Sequence, residues 1–290
     1  MAPFFTGFTR GLGGGGFGRK SRIRYPQIVI GGRSSDVTTS YQPYSFSSGD
    51  AITVENTGYY SFKLYGGKGD GGSGGQGGTT EASVYLQAGS SVYIRTISTA
   101  PQTKTAGYGL YLGTTNSLDP APTRPNSTIL VAGSGGAQGS SPDRGGGSGG
   151  GLVGGSGVGE RAGDAPGPNY VYAPGGTQSS GGSGSPQGGS SGTVWYGGSA
   201  GNPGPGCGWG PGGQGGHGWY GGGGGGGDQC NGGHVSGGGG SGYITNVLVN
   251  INTHGHIKIG VGETTLTGNA GWPSSTPFSI TKLEIKQGLI

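Results

Sequence analysis

The sequence predicts a mainly β fold with much irregular structure, in which a shell of strands clasps a bundle of polyglycine-II helices and no substantial α-helix forms. Three observations predict it. Glycine supplies 80 of the 290 residues, and each glycine in a helix interior costs about 1 kcal/mol. Alternating apolar and polar residues mark short strands on both sides of the glycine-rich stretch. Within that stretch glycine recurs at 66, 69, 72, 75 and 78, and again at 212, 215, 218, 221, 224 and 227. A spacing of three is the repeat of an extended helix with three residues per turn.

Residues 1–40 form a basic, glycine-rich arm. Arg10, Arg19, Lys20, Arg22 and Arg24 fall here, with no acidic residue before Asp36. Such an arm reads either as an anchor for an acidic or structural partner or as a solvated tail. Residues 41–250 are read as the glycine-rich domain. Its first strands lie at Ile52 and Val54, at Tyr60, Phe62 and Leu64, at Ala82, Val84 and Leu86, and at Val92 and Ile94, each with period-two alternation. Residues 101–126 and 162–174 carry much of the proline and little apolar pattern, and read as surface insertions. At the far end of the domain Tyr243, Thr245, Val247, Val249 and Ile251 share one side of a strand. Residues 251–290 supply the last strands, HIKIGV and FSITKLEI, which complete the shell.

The glycine runs at 66–78, 133–163, 175–204 and 206–242 set the physical problem. Ordering 80 glycines adds on the order of 40–80 kcal/mol of entropy cost relative to alanine. With 29% hydrophobic residues, side-chain burial does not offset that. Hydrogen bonding between main chains does, provided neighbouring extended segments come close. They come close only where the facing residues lack a side chain. Collagen is excluded because the register breaks between runs. Disorder is the competing reading of this composition, opposed by the periodicity and by the flanking strands.

The same composition excludes other classes. No apolar run approaches the roughly 20 residues of a membrane-spanning helix. The N-terminus lacks the pattern of a secretory signal, which implies a product made in a cytoplasm. There is no phosphate-binding loop, no arguable Ser/His/Asp set and no carboxylate pair, so an enzyme is not expected and no cofactor is implied. Arg-Gly-Gly occurs once, at Arg144, which argues against nucleic acid as a partner. Cys207, His217, Cys230 and His234 give C-x9-H-x12-C-x3-H, whose first spacing is too long for a zinc site, so no metal is expected. Cys207 and Cys230 suffice for one disulfide in an oxidising medium.

The ligand-binding candidates are aromatic. Trp195, Tyr196, Trp209, Trp219 and Tyr220 lie in or beside glycine runs. Among glycines an indole either stands exposed as a stacking platform for a sugar or surface target, or covers bare backbone where shell and bundle meet.

The ordered blocks YYSFKLYGGKGDGGSGGQGG, TTEASVYLQAGSSVYI, TILVAGSGGAQG, GGGLVGGSG, PGGTQSSGGSGS, GWYGGGGGGG and GGGGSGYI resemble the glycine-rich domain of the anaplastic lymphoma kinase type of receptor ectodomain, and related domains of bacterial and phage proteins. The resemblance spans roughly residues 44–249. It implies packed polyglycine helices within a β-rich shell, serving binding rather than catalysis. The arm GFTRGLGGGGFGRKSR resembles the starts of small tail and fibre proteins of marine bacteriophages, and the glycine-rich logic is similar to that of phage tail-fibre adhesins. Together these imply a virion protein of the tail or another appendage. Its arm would attach to other tail proteins, and its glycine-rich domain would bind a host cell-surface receptor or glycan. A homo-oligomer is the expected state, because weak sites gain avidity when linked. A purely structural virion component, such as a capsid decoration or fibre adaptor, is the alternative.

Overall fold

The structure is a computed structural model. It describes residues 37–42, 51–54, 57–99, 102–118, 127–140, 145–160, 170–207, 210–228, 230, 233–245, 249–251, 255–257 and 278–285. The elements among these are strands: β1 (Val37–Gln42), β2 (Ala51–Thr53), β3 (Gly58–Tyr65), β4 (Thr79–Leu86), β5 (Ser91–Ile97), β6 (Gly109–Gly113), β7 (Thr128–Ala132), β8 (Gly157–Glu160), β9 (Tyr170–Ala173), β10 (Val194–Trp195), β11 (Gly218–Tyr220), β12 (Tyr243–Ile244), β13 (Val249–Ile251), β14 (Gly255–Ile257) and β15 (Phe278–Ile285). The fold is mainly β, with no α-helix among the described residues.

Two antiparallel sheets form the shell. One has the order β1-β15-β3-β4 and the other β12-β7-β6-β5-β2. Their facing sides enclose a core of Tyr60, Phe62, Leu64, Ala82, Val84 and Leu86 from the first sheet against Val92, Ile94, Leu110, Leu112, Ile129 and Leu130 from the second. The alternation in β3 explains its placement: Phe62 and Leu64 are fully buried, while Lys63 lies opposite Glu81 across the β3–β4 pair.

Two sequence expectations are corrected here. Residues 101–126 are not simply a surface insertion, because they contain β6, buried from end to end in the middle of its sheet. Leu110 and Leu112 face the sandwich core while Tyr111 faces an aromatic cluster on the other side. A strand buried on both faces loses its alternation, and five residues are too few to show it otherwise. Residues 162–174 contain all of β9, which pairs with β8 from Gly157↔Ala173 to Glu160↔Tyr170.

The glycine runs leave the shell at Gly66, Gly78, Gly133 and Gly242, next to β3, β4, β7 and β12, and pack side by side. Segment 221–226 sits among six neighbours. Gly222 and Gly225 donate to Gly216 and Gly213, at 2.9 and 2.8 Å. Gly221 and Gly224 donate to Thr193 and Ser190, and Gly223 donates to Pro174. The carbonyls turn to other partners: those of 221 and 224 accept from Gly182 and Ser185, those of 222 and 225 from Gly198 and Gly201, and those of 223 and 226 from Gly238 and Val235. Residues three apart therefore meet the same neighbour. That sorting is what three residues per turn with sideways-pointing polar groups requires.

Each run is shorter than its glycine period suggests. The 66–78 run doubles back, with Gly66 bonded to Gly78 and Gly69 to Gly75, so that Gly72 falls in the turn. The 206–242 run is cut into 212–217, 221–227 and 235–241, which bond one another.

Candidate functional site

The bond register arranges the molecule between two poles. Val37 pairs with Ile285, at the end of the first sheet remote from Gly66. In the bundle, positions near the sheets bond one another (Gly78 to Gly133, Gly240 to Ser134), and later rungs step away (Gly75 to Gly136, Gly237 to Ala137, Gly225 to Gly213, Gly204 to Asp228). The turns at 71–73, 186–188 and 203–206 thus gather at the pole opposite Val37.

Three of the sequence candidates meet where bundle and shell join. Trp195, Trp219 and Tyr220 are buried with Ile97, Tyr111 and Val131, on the side of the second sheet turned away from the sandwich core. The rings pack edge to face: Tyr111 with Trp195 at 5.7 Å and 88°, Trp195 with Trp219 at 5.2 Å and 84°. Trp219 also stacks on Tyr243 at 4.1 Å and 18°, and its indole N–H donates to the Gln178 carbonyl. A β-bulge between Val194 and Trp195 interrupts the β10–β11 pair and aims the indole inward. Trp195 has φ 70°, a left-handed backbone that L-residues adopt at a cost. Among the described candidates only Tyr196 is exposed, at 37%. Of the two readings open to aromatics among glycines, these three residues take the packing one. Trp209 and the arm residues Arg10, Arg19, Lys20, Arg22 and Arg24 lie outside the described residues.

His217 closes the same joint. Its ring is buried, Tyr196 packs edge-on against it at 6.3 Å, and its Nδ1 accepts a hydrogen bond from the Gly197 N–H at 3.1 Å. Burial lowers its pKa from 6.5 to about 4. The Tyr243 hydroxyl is shifted upward by burial, opposed by a hydrogen bond with Thr245. Buried polar side chains stitch the surrounding segments. Gln214 donates to Thr99 and accepts from the Ala106 N–H. Ser134 Oγ accepts from the His217 N–H, and Ser241 Oγ donates to Thr177 O.

At the loop pole Cys207 and Cys230 form a disulfide. The spacing Cys207, His217, Cys230, His234 therefore does not assemble a ligand set, and His217 lies at the opposite end of the bundle. Among the described residues no group of three or more His, Cys, Asp or Glu side chains is placed to hold a metal ion.

The sequence reading missed the apolar residues that do stand in solvent. Tyr108, Leu152, Val153 and Tyr172 are each more than half exposed. The signal available for Leu152-Val153 is an apolar pair isolated between glycines. Tyr172 carried none, because its strand was assigned to an insertion. No protein-family model matches the chain, and a search of curated proteins gives no match.

Proposed function

We propose that this chain is a phage virion protein, a tail fibre or tail-associated adhesin that meets the host surface through its glycine-rich domain. The observation that carries this reading is polarity. The first described strand begins at Val37, at one pole, and three of the turns between glycine segments, at 71–73, 186–188 and 203–206, gather at the other. An arm bound to the particle would then hold the turns outward. A backbone-bonded bundle suits that task, because it presents short loops on a stiff support and limits the ordering cost of recognition. The resemblance of the arm and of the glycine blocks to phage tail proteins supports the same assignment. Attachment to other tail proteins, a receptor or glycan as the target, and a multivalent homo-oligomer belong to this proposal.

The burial of Trp195, Trp219 and Tyr220 favours a second reading. With those rings committed to packing, the chain is a structural virion component without receptor contact. Deleting residues 1–35 and scoring virion incorporation and host adsorption separately tests both. The adhesin reading expects particles without the protein and a loss of adsorption. Normal adsorption by such particles contradicts it and leaves the structural reading. Unimpaired incorporation of the deleted chain contradicts the anchoring role of the arm.

A further inference from the structure

We propose that the Cys207–Cys230 disulfide is a redox-operated clasp on the loop pole, one that sets the order of the turns there while the bundle holds without it. Three observations place it at the end of the backbone ladder. Segments 198–204 and 222–228 run parallel, with rungs Gly198 to Gly222 at 2.9 Å, Gly201 to Gly225 at 2.8 Å and Gly204 to Asp228 at 2.7 Å. The disulfide joins the two chains just past the last rung, with 23 residues of sequence separation.

Beside it Asp228 donates to Gly210 at 3.5 Å, beyond the usual 2.7–3.2 Å of an N–H···O bond, and so holds less well than the rungs of the ladder. Finally, Cys230 has φ 69°, a left-handed backbone with no glycine to ease it. Opening the cross-link removes one constraint that holds Cys230 in that conformation.

The interior does not rest on the cross-link. Gly216, Gly222 and Gly238 each bond neighbours that lie several residues from either cysteine. Cys230 is exposed, so a thiolate in solution reaches its sulfur. Attack by one thiolate of a dithiol reductant on Cys230 Sγ breaks the S–S bond and releases Cys207 as a thiolate. The second thiol of the reductant resolves the mixed disulfide, leaving two cysteine thiols and a cyclic disulfide. Oxidised glutathione reverses the change by two exchanges and yields two molecules of glutathione.

The test uses amide spectra of the isotope-labelled full chain before and after dithiothreitol, and after oxidised glutathione. The clasp predicts that two thiols become alkylatable under native conditions. It predicts that the amide signals of Gly204, Cys207, Gly227 and Asp228 shift or broaden, that those of Gly216, Gly222 and Gly238 keep their positions, and that oxidation restores the first set. A Cys207→Ser, Cys230→Ser double variant should show the reduced spectrum and no response to reductant. Collapse of the whole spectrum on reduction would overturn the proposal by making the bond a keystone. An unchanged loop pole, or a disulfide that resists native reduction, would overturn it equally. The readout is the free chain, so the result does not depend on what the protein binds.

Discussion

At the scale of single residues, glycine acts here through an absence. A Cβ built on Gly215 would overlap the carbonyl of Gly222, and one on Gly222 the carbonyl of Gly238. The Cα hydrogens of such residues point at neighbouring carbonyl oxygens, a weak contact that recurs where backbones lie this close. Gly72, by contrast, has open space around its Cβ position. Gly215→Ala should therefore cost more than about 3 kcal/mol or prevent folding. Gly72→Ala should be neutral, or stabilise by about 0.5 kcal/mol through the unfolded chain. Denaturant titration of the two variants compares them directly, and equal costs would deny that backbone contact is what selects glycine. His217 makes the second prediction at this scale. Its ring is neutral when folded, with a pKa of about 4 against 6.5. Between those values the unfolded chain binds a proton that the folded chain refuses. Stability should fall as pH drops from 6.5 towards 4, by about 3 kcal/mol from this group, and the loss from it should stop below that. Denaturation across pH in a His217→Gln variant should show a flatter slope.

At the scale of elements, the aromatic joint couples the two halves of the fold. Trp219 touches Trp195, Tyr220 and Tyr243 and reaches Gln178 through its indole N–H. Trp219→Ala should cost about 3–5 kcal/mol by opening a cavity between the second sheet and the bundle, read as a fall in denaturation midpoint. A variant of unchanged stability would contradict the packing role of Trp219. The strands β3 and β4 were legible because apolar and polar residues alternate along them, Phe62 and Leu64 with Ser61 and Lys63, and Ala82 and Val84 with Glu81 and Ser83. β6 and β7 were not, because Leu110, Tyr111, Leu112 and Val131 are all buried. The joint was half legible: tryptophans among glycines promise either a platform or a packing role, and what decides between them is the second sheet lying across the glycine segments.

For the whole molecule, the sequence period carried the kind of packing but not its connectivity. Glycine at every third position says that one face of a run is bare. It does not say that the 66–78 run reverses at Gly72, or that 221–226 is surrounded by six segments drawn from residues 174 to 238. Those facts depend on which runs face each other, and interchangeable glycines cannot encode it. Landmarks within the runs can: the serines Ser134 and Ser241, whose hydroxyls cross between segments, and the rings that fix the sheet end. Amide hydrogen exchange across 212–227 and 235–241 tests the whole account most directly. Exchange slowed by several orders of magnitude at Gly216, Gly222, Gly225 and Gly238, matching the core strands β6 and β7, is the predicted result. Exchange there at the rate of an unstructured chain, with the strands still protected, would contradict a rigid interior made of glycine backbone.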